Sequence, residues 1–277
     1  MSSIISVGRD GWVDPERGGL GMKRRLEGKA IIVVGAGTRG EGLGNGKAAA
    51  LQFAREGAKV LCVDQNESAA ATTAKIIREE GGEAEIFVAD IVNAKECERI
   101  VEACLRHFRK LDVLHNNVGI PSMREIVDTS EEAWVKTFDV NVKGMFLMCR
   151  QAIPLMKAGG SGSIINVSSV ASIRAFPDAA YVSSKSAVNA LTLYLAGRYA
   201  RYNIRANVLL LGYIDTPLAR PAWVNDKVRE INLKQVPMRR FASPWEVATV
   251  AAFLASDEAS YVTGAILPVD GGLTVSL

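Results

Sequence analysis

The stretch Val33-Val34-Gly35-Ala36-Gly37-Thr38-Arg39-Gly40-Glu41-Gly42-Leu43-Gly44-Asn45-Gly46-Lys47 decides how this chain is read. An apolar run, Ala30 to Val34, precedes the glycines, and Lys47-Ala48-Ala49-Ala50-Leu51 opens a helical pattern after them. Glycines let a backbone approach a pyrophosphate closely, and the helix start offers unpaired N–H groups and partial positive charge. Strand, glycine-rich turn and helix together predict the first unit of a dinucleotide-binding βαβ domain.

The same alternation continues to the C-terminus. Short apolar runs recur at Val60-Val63, Glu85-Val88, Val113-His115, Ser163-Val167, Ala206-Leu210 and Ile266-Val269. Between them lie stretches of helical spacing at 45–56, 68–80, 94–109, 131–157, 179–201 and 243–255. Strand, helix, strand in repetition means right-handed crossovers and a parallel sheet. The strands are almost continuously apolar, as expected when helices cover both sheet faces. The fold class predicted is α/β, a single doubly wound domain with a parallel seven-stranded sheet and helices on both faces. It occupies residues 22–277, after an N-terminal extension, 1–21, that holds five glycines and no sustained period.

Composition narrows the function. The 277 residues carry 33 Lys+Arg against 30 Asp+Glu, a formal charge of +3, scattered along the chain. That balance argues against a nucleic-acid partner. No apolar run reaches the ~18 residues of a membrane span. Cys62, Cys97, Cys104 and Cys149 lie far apart without a CxxC, and there are only two histidines, so neither a metal site nor a disulfide framework is expected. The extension lacks the order of a signal peptide, and a cytoplasmic location is the expectation.

The second strand ends in Asp64, 18 residues past Gly46, where an acid can take the adenosine ribose hydroxyls. A 2′-phosphate there would meet a like charge costing up to about 4 kcal/mol at ~4 Å, less once screened by solvent. NAD is therefore favoured over NADP, with Arg39 the one residue able to fold over and pair with such a phosphate.

Chemistry enters with Tyr181-Val182-Ser183-Ser184-Lys185. At i,i+4 on a helix the phenol and the ammonium face the same way. A phenol titrates near 10, so proton transfer at neutral pH needs about 4 kcal/mol of help from a nearby cation. Ser168-Ser169 follows the strand Ile164-Ile165-Asn166-Val167, with Ser169 lying 12 residues before the tyrosine, and offers a hydroxyl to hold a substrate oxygen.

With these motifs in this order, the chain resembles the short-chain dehydrogenase/reductase family over residues 26 to 277. Further matches are Asp90 after the third strand, Asn116-Asn117-Val118-Gly119, Asn141 within Asp139-Val140-Asn141-Val142, Ile204-Arg205-Ala206-Asn207, Gly212 to Pro217, and Val269-Asp270-Gly271-Gly272. The resemblance implies a Rossmann-type fold and a catalytic tetrad of Asn141, Ser169, Tyr181 and Lys185. Tyr181 would be the general acid/base and Lys185 would depress its pKa and bind the nicotinamide ribose. Ser169 would polarise the substrate oxygen, and Asn141 would hold a water linking Lys185 to solvent.

It further implies a cofactor site made of Gly35, Gly37, Gly44, Asn45, Gly46, Asp64, Asp90, Ile91, Asn117, Gly119, Gly212, Ile214 and Thr216, with Tyr181 and Lys185. The chain departs from the family in three places. Val34 stands where Thr is usual, and eight residues separate Gly35 from Gly44, so a second register, Gly35-Ala36-Gly37-Thr38-Arg39-Gly40, competes. Leu211 replaces a usual Pro, and Val118 a usual Ala.

The expected activity is hydride transfer between NAD and a secondary alcohol or ketone. Its alternatives are an NADPH-dependent 3-oxoacyl thioester reductase, which would meet an acidic carrier through Arg239-Arg240, and a catalytically silent dinucleotide binder. Residues 218–236, with Trp223, Val224 and Leu233, would form a lid over a mainly apolar hydroxy or keto substrate. Arg174 might be thought to meet a substrate carboxylate, but a surface position is the simpler expectation. Apolar and small residues on 131–157 and 179–201 (Met145, Phe146, Met148, Ala187, Leu191, Leu193, Leu195) point, with the resemblance, to a homotetramer.

Overall fold

The structure is a computed structural model, which describes residues 24–38, 40–220 and 225–276. The N-terminal extension, Arg39, Trp223 and Val224 lie outside the described residues. Seven parallel strands, β1 (Ala30–Val34), β2 (Lys59–Asp64), β3 (Glu83–Val88), β4 (Val113–Asn116), β5 (Gly162–Ser169), β6 (Ile204–Leu211) and β7 (Ile266–Val269), form one sheet. Their order is β3-β2-β1-β4-β5-β6-β7, so the direction of winding reverses between β1 and β4. That switch point opens a crevice at the C-terminal ends of the strands, where α/β sheets bind ligands.

All five residues of β1 are buried, and the reason is the pleat. Ile31 and Val33 face one layer with Val60, Cys62, Ile165 and Leu209, against Phe53 of α1 (Asn45–Arg55), Ile77 of α2 (Glu67–Glu79) and Leu254 of α8 (Pro244–Ala255). Ala30, Ile32 and Val34 face the other, against Ile100 of α3 (Ala94–Phe108), Met148 of α5 (Gly144–Ala158) and Leu195 of α6 (Ala179–Tyr199). Period-two alternation thus feeds two separate cores. The strand limits proposed for β1 and β7 match; the other five strands run one to three residues longer.

The stretch 131–157 departs from a single regular helix. It begins as α4 (Glu131–Phe138), passes through a π-helical segment, Asp139–Lys143, and continues as α5. The flanking residues keep right-handed helical dihedrals, so the apolar spacing gave no sign of the extra residue in the turn. The lid region contains a further helix, α7 (Asp226–Gln235), with no buried residue.

Polar side chains tie the sheet to α6. Asn116 Nδ2 donates to Asn166 Oδ1 at 2.9 Å, and Asn166 Nδ2 donates to Thr192 Oγ1 at 2.9 Å. His115, next in β4, is 1 % exposed and edge-on to Phe53, with neither ring nitrogen hydrogen-bonded. Burial pulls its pKa down to about 4, and the imidazole stays neutral. The four cysteines are buried free thiols, each pushed up by burial, Cys62 to about 12. Among the described residues no helix is long and apolar enough to cross a membrane, and no cluster of His, Cys, Asp or Glu could hold a metal.

Candidate active site

The C-terminal ends of the strands open into a cavity of about 570 Å³. Every expected cofactor residue lines it, together with Ser169, Tyr181 and Lys185. Asn141 does not.

The glycine turn shows which register holds. Gly44 is the N-cap of α1, without a side-chain cap, and the first turn carries no acidic residue. Its N–H donates to Thr38 Oγ1 at 3.0 Å, closing residues 38–43 into an excursion. A Cβ on Gly46 would stand 1.9 Å from the Gly35 carbonyl oxygen, so α1 meets the turn after β1 at Gly46. Gly40 and Gly42 instead lie against Pro217, at the base of the lid. The spacing Gly35…Gly44-Asn45-Gly46 therefore sets the helix start, and Gly40 of the competing register is not part of it.

Asp64, the last residue of β2, lines one end of the cavity. Its Oδ2 accepts from the Gly37 N–H and its Oδ1 from the Asn66 N–H, both at 3.0 Å. Asp90 and Ile91 line the same end. Asn117 Nδ2 donates to the Gly35 carbonyl at 3.2 Å, which locks the loop after β4 to the glycine turn.

Tyr181 and Lys185 project from the first turns of α6, and a capped helix start aims them. Asp178, 1 % exposed, is the N-cap and accepts from the Tyr181 N–H at 3.0 Å. The same carboxylate takes the N–H groups of Ser122 and Met123 at 2.8 and 2.7 Å and the Ser122 hydroxyl. One aspartate thus fixes both the catalytic helix and the loop after β4. The sequence carried half of this signal, an Asp three residues before the tyrosine; its partners 55 and 56 residues away carried none.

Ser169 ends β5 and lines the cavity with the partly buried Tyr181, and its hydroxyl acts on the phenol. The Lys185 Nζ donates to the Val167 carbonyl at 2.9 Å and lies 5.8 Å from the Tyr181 ring centre. A Cβ on Gly119 would stand 2.8 Å from that nitrogen, so only glycine leaves the ammonium open to the cavity.

Burial lowers Lys185 to about 8 and raises the Tyr181 phenol above its ordinary value, the Ser169 hydroxyl opposing the rise. Lys185 does not offset this rise, which loss of solvent and the Asp178 charge produce.

Asn141, in the π segment, is fully buried. Its Oδ1 accepts from the Ile120 N–H at 2.7 Å, and its Nδ2 donates to the Ile120 carbonyl and to Ser184 Oγ, both at 2.9 Å. It acts here as the anchor of the loop that carries Gly119.

The comparisons agree with this geometry. A family model described as enoyl-(acyl carrier protein) reductase matches residues 41–274. The chain is 37% identical over 252 residues to the 3-oxoacyl-[acyl-carrier-protein] reductase of Thermotoga maritima, covering 91% of this chain and all of that one. It is 37% identical to glucose 1-dehydrogenase 2 of Bacillus subtilis, covering 92% and 98%. The solved gluconate 5-dehydrogenase of Burkholderia cenocepacia, in complex with NADP and tartrate, superposes with a TM-score of 0.86 at 33% identity, covering 92% and 98%.

The chain belongs to the short-chain dehydrogenase/reductase family. As a member it is an oxidoreductase that works on CH–OH or C=O groups with a nicotinamide cofactor. The cavity fits such a cofactor: Asn45 Oδ1 is buried without a hydrogen-bond partner beside the uncapped start of α1, where any residue but glycine at Gly46 would collide.

Proposed function

We propose that this protein is an NAD-dependent dehydrogenase of secondary alcohols, reversible toward ketones, with Tyr181 as general acid/base. The observation that carries the reading is that Ser169 and Tyr181 line one cavity with the buried Lys185 ammonium, one helical turn from the tyrosine. Bound nicotinamide supplies or accepts the hydride. Ser169 orients the substrate oxygen, Tyr181 moves the proton at its hydroxyl, and Lys185 holds a positive charge beside both. Asn141 keeps Ile120 and Gly119 in place. The dinucleotide would lie along Gly35, Gly37, Asn45 and Asn117, with Asp64 at the ribose and Ile214 and Thr216 at the carboxamide.

For cofactor choice, Asp64 favours NAD, whereas the solved gluconate 5-dehydrogenase holds NADP. A carboxylate facing a 2′-phosphate should give NAD an advantage in kcat/KM of at least about tenfold. The substitution Asp64→Ala should close most of that gap, read from cofactor absorbance with each nucleotide. A wild type that prefers NADP would overturn the assignment.

A thioester reductase with an acidic carrier is less well supported, since Arg240 is spent on Glu246 at 2.6 Å and Arg239 donates to the Lys234 carbonyl. Conversely, a silent binder would have no use for the serine, tyrosine and lysine in one place. The working environment proposed is cytoplasmic, and the substrate is a small molecule with an apolar carbon skeleton packed against Met123, Phe176 and Leu273.

The assembly proposed is a homotetramer. Of the residues expected at its contacts, Met145, Met148 and Leu195 are instead core, because that face of α5 and α6 packs on the sheet. Phe146 and Leu193 remain 46% and 47% exposed and are joined by Tyr194. Light scattering at micromolar concentration should read four chains of 29.8 kDa, and Leu193→Glu should reduce that mass. A monomeric wild type would refute the proposal.

A further inference from the structure

Strand order sorts the charges of the cavity. Among the described residues its only acidic lining residues are Asp64, at the end of β2, and Asp90, just past β3, both toward one edge of the sheet. The other half is built by the segments after β5, β6 and β7, and no carboxylate of a described residue lines it. Arg174 lines that half, five residues past Ser169 and at the end of the short turn Val170–Ser172 that Ser169 caps. Its backbone N–H donates to the Val170 carbonyl at 3.0 Å, so the turn holds it close to the serine.

The guanidinium is partly buried and forms no ion pair with a described residue. One Nη donates to the Leu273 carbonyl. Burial raises the pKa of the Tyr213 hydroxyl, and the Arg174 charge opposes that rise without cancelling it. A guanidinium carries five donors in a planar fork, and a single carbonyl uses one. If the residue only tied the C-terminal turn to the wall, a neutral amide would serve. A partly desolvated cation with no counter-charge among the described residues, next to the apolar wall of Met123, Phe176 and Leu273, is instead arranged for an anion.

We infer that Arg174 binds a carboxylate on the substrate, so that the alcohols oxidised are hydroxy acids and the ketones reduced are keto acids. This rests on the redox reading above and names the substrate class of the same site. The carbon chain runs along the apolar wall, its reacting carbon at Ser169 and Tyr181 and its acid end at Arg174.

The test pairs short linear hydroxy acids with their methyl esters, which lack the carboxylate charge and carry one methyl group more. Wild-type kcat/KM should favour the acid by at least about tenfold. Arg174→Gln, which keeps a donor for the Leu273 carbonyl, should raise KM for the acids by about 10- to 100-fold, the range of a charge-assisted hydrogen bond. Ester kinetics and kcat should change by less than about threefold, since uniform binding is what is lost. Arg174→Lys should recover part of the preference. Equal losses for acid and ester would mean a structural tie only, and an ester preferred by the wild type would likewise overturn the inference.

If neither acid nor ester turns over, the redox reading fails, and binding alone then judges Arg174. Tartrate titrated by calorimetry into NAD-loaded protein should bind, and bind at least about tenfold more weakly to Arg174→Gln. Tartrate binding that is unchanged in Arg174→Gln, or absent in the wild type, would remove the carboxylate site.

Discussion

Tyr181→Phe is expected to lower kcat by ~10²–10⁴-fold while leaving cofactor affinity nearly unchanged. The substitution removes one oxygen from a ring packed against Phe176 at 6.3 Å, so the fold loses little. What disappears is the hydroxyl that shares the cavity with Ser169 and would exchange the substrate proton. Because burial raises the phenol in the protein alone, wild-type oxidation should climb with pH, and kcat/KM should report that climb. Ser169→Ala should lose turnover with the profile almost unmoved, because a serine hydroxyl orients without titrating. Steady-state rates and dinucleotide binding, measured on the same preparations, test the claim. Substantial turnover by the Phe variant would sink the mechanism.

Lys185→Met should do two things of opposite sign. Activity and nucleotide affinity should both fall, since the only ammonium beside the phenol is gone. Stability should rise. The folded-state pKa of Lys185 is about 8 against an ordinary 10.5, so the unfolded chain holds the proton more tightly. Stability therefore increases with pH between those two values, and below about 8 the native protein carries the full cost of a buried charge. That cost is about 3 kcal/mol from the size of the shift, partly offset by the bond to the Val167 carbonyl. Thermal melts near neutral pH should show the Met variant several degrees higher, with the difference shrinking as pH passes 8 toward 10.5. A variant that melts lower at neutral pH would show that the ammonium is better solvated in place than its burial implies. The opposition is the familiar one between an active site and stability: on the proposed mechanism the cavity keeps a destabilising group for proton transfer.

The strands and most helices were legible because burial on both sheet faces leaves a dense apolar record. The start of α1 was only half legible, since six glycines in one turn, Gly35 to Gly46, allow two registers until the contact between Gly46 and the Gly35 carbonyl decides. The helix α7 was hidden for a simple reason: it buries nothing, and its sequence carries no apolar stripe. Ser169, Tyr181 and Lys185 were readable from local spacing. Asp178 was not, because its role comes from Ser122 and Met123, far along the chain. Arg174 was raised as a carboxylate partner and set aside for a surface position, since its bond to Leu273 lies 99 residues away. The bonds of Asn141 with Ile120 and Ser184 are ones that no spacing announces.

The π segment between α4 and α5 has one more consequence. A turn that holds an extra residue puts the side chains before it and after it out of phase by about 100°, the angular step of one residue. Asn141 points at Ile120 from within that turn. Remove one residue from Asp139–Lys143 and regular winding returns, but α4 and α5 are then rotated against each other as blocks. One of them must leave its packing, or the amide must swing away from Ile120. A change that a surface helix absorbs as a difference in length would here be a difference in aim.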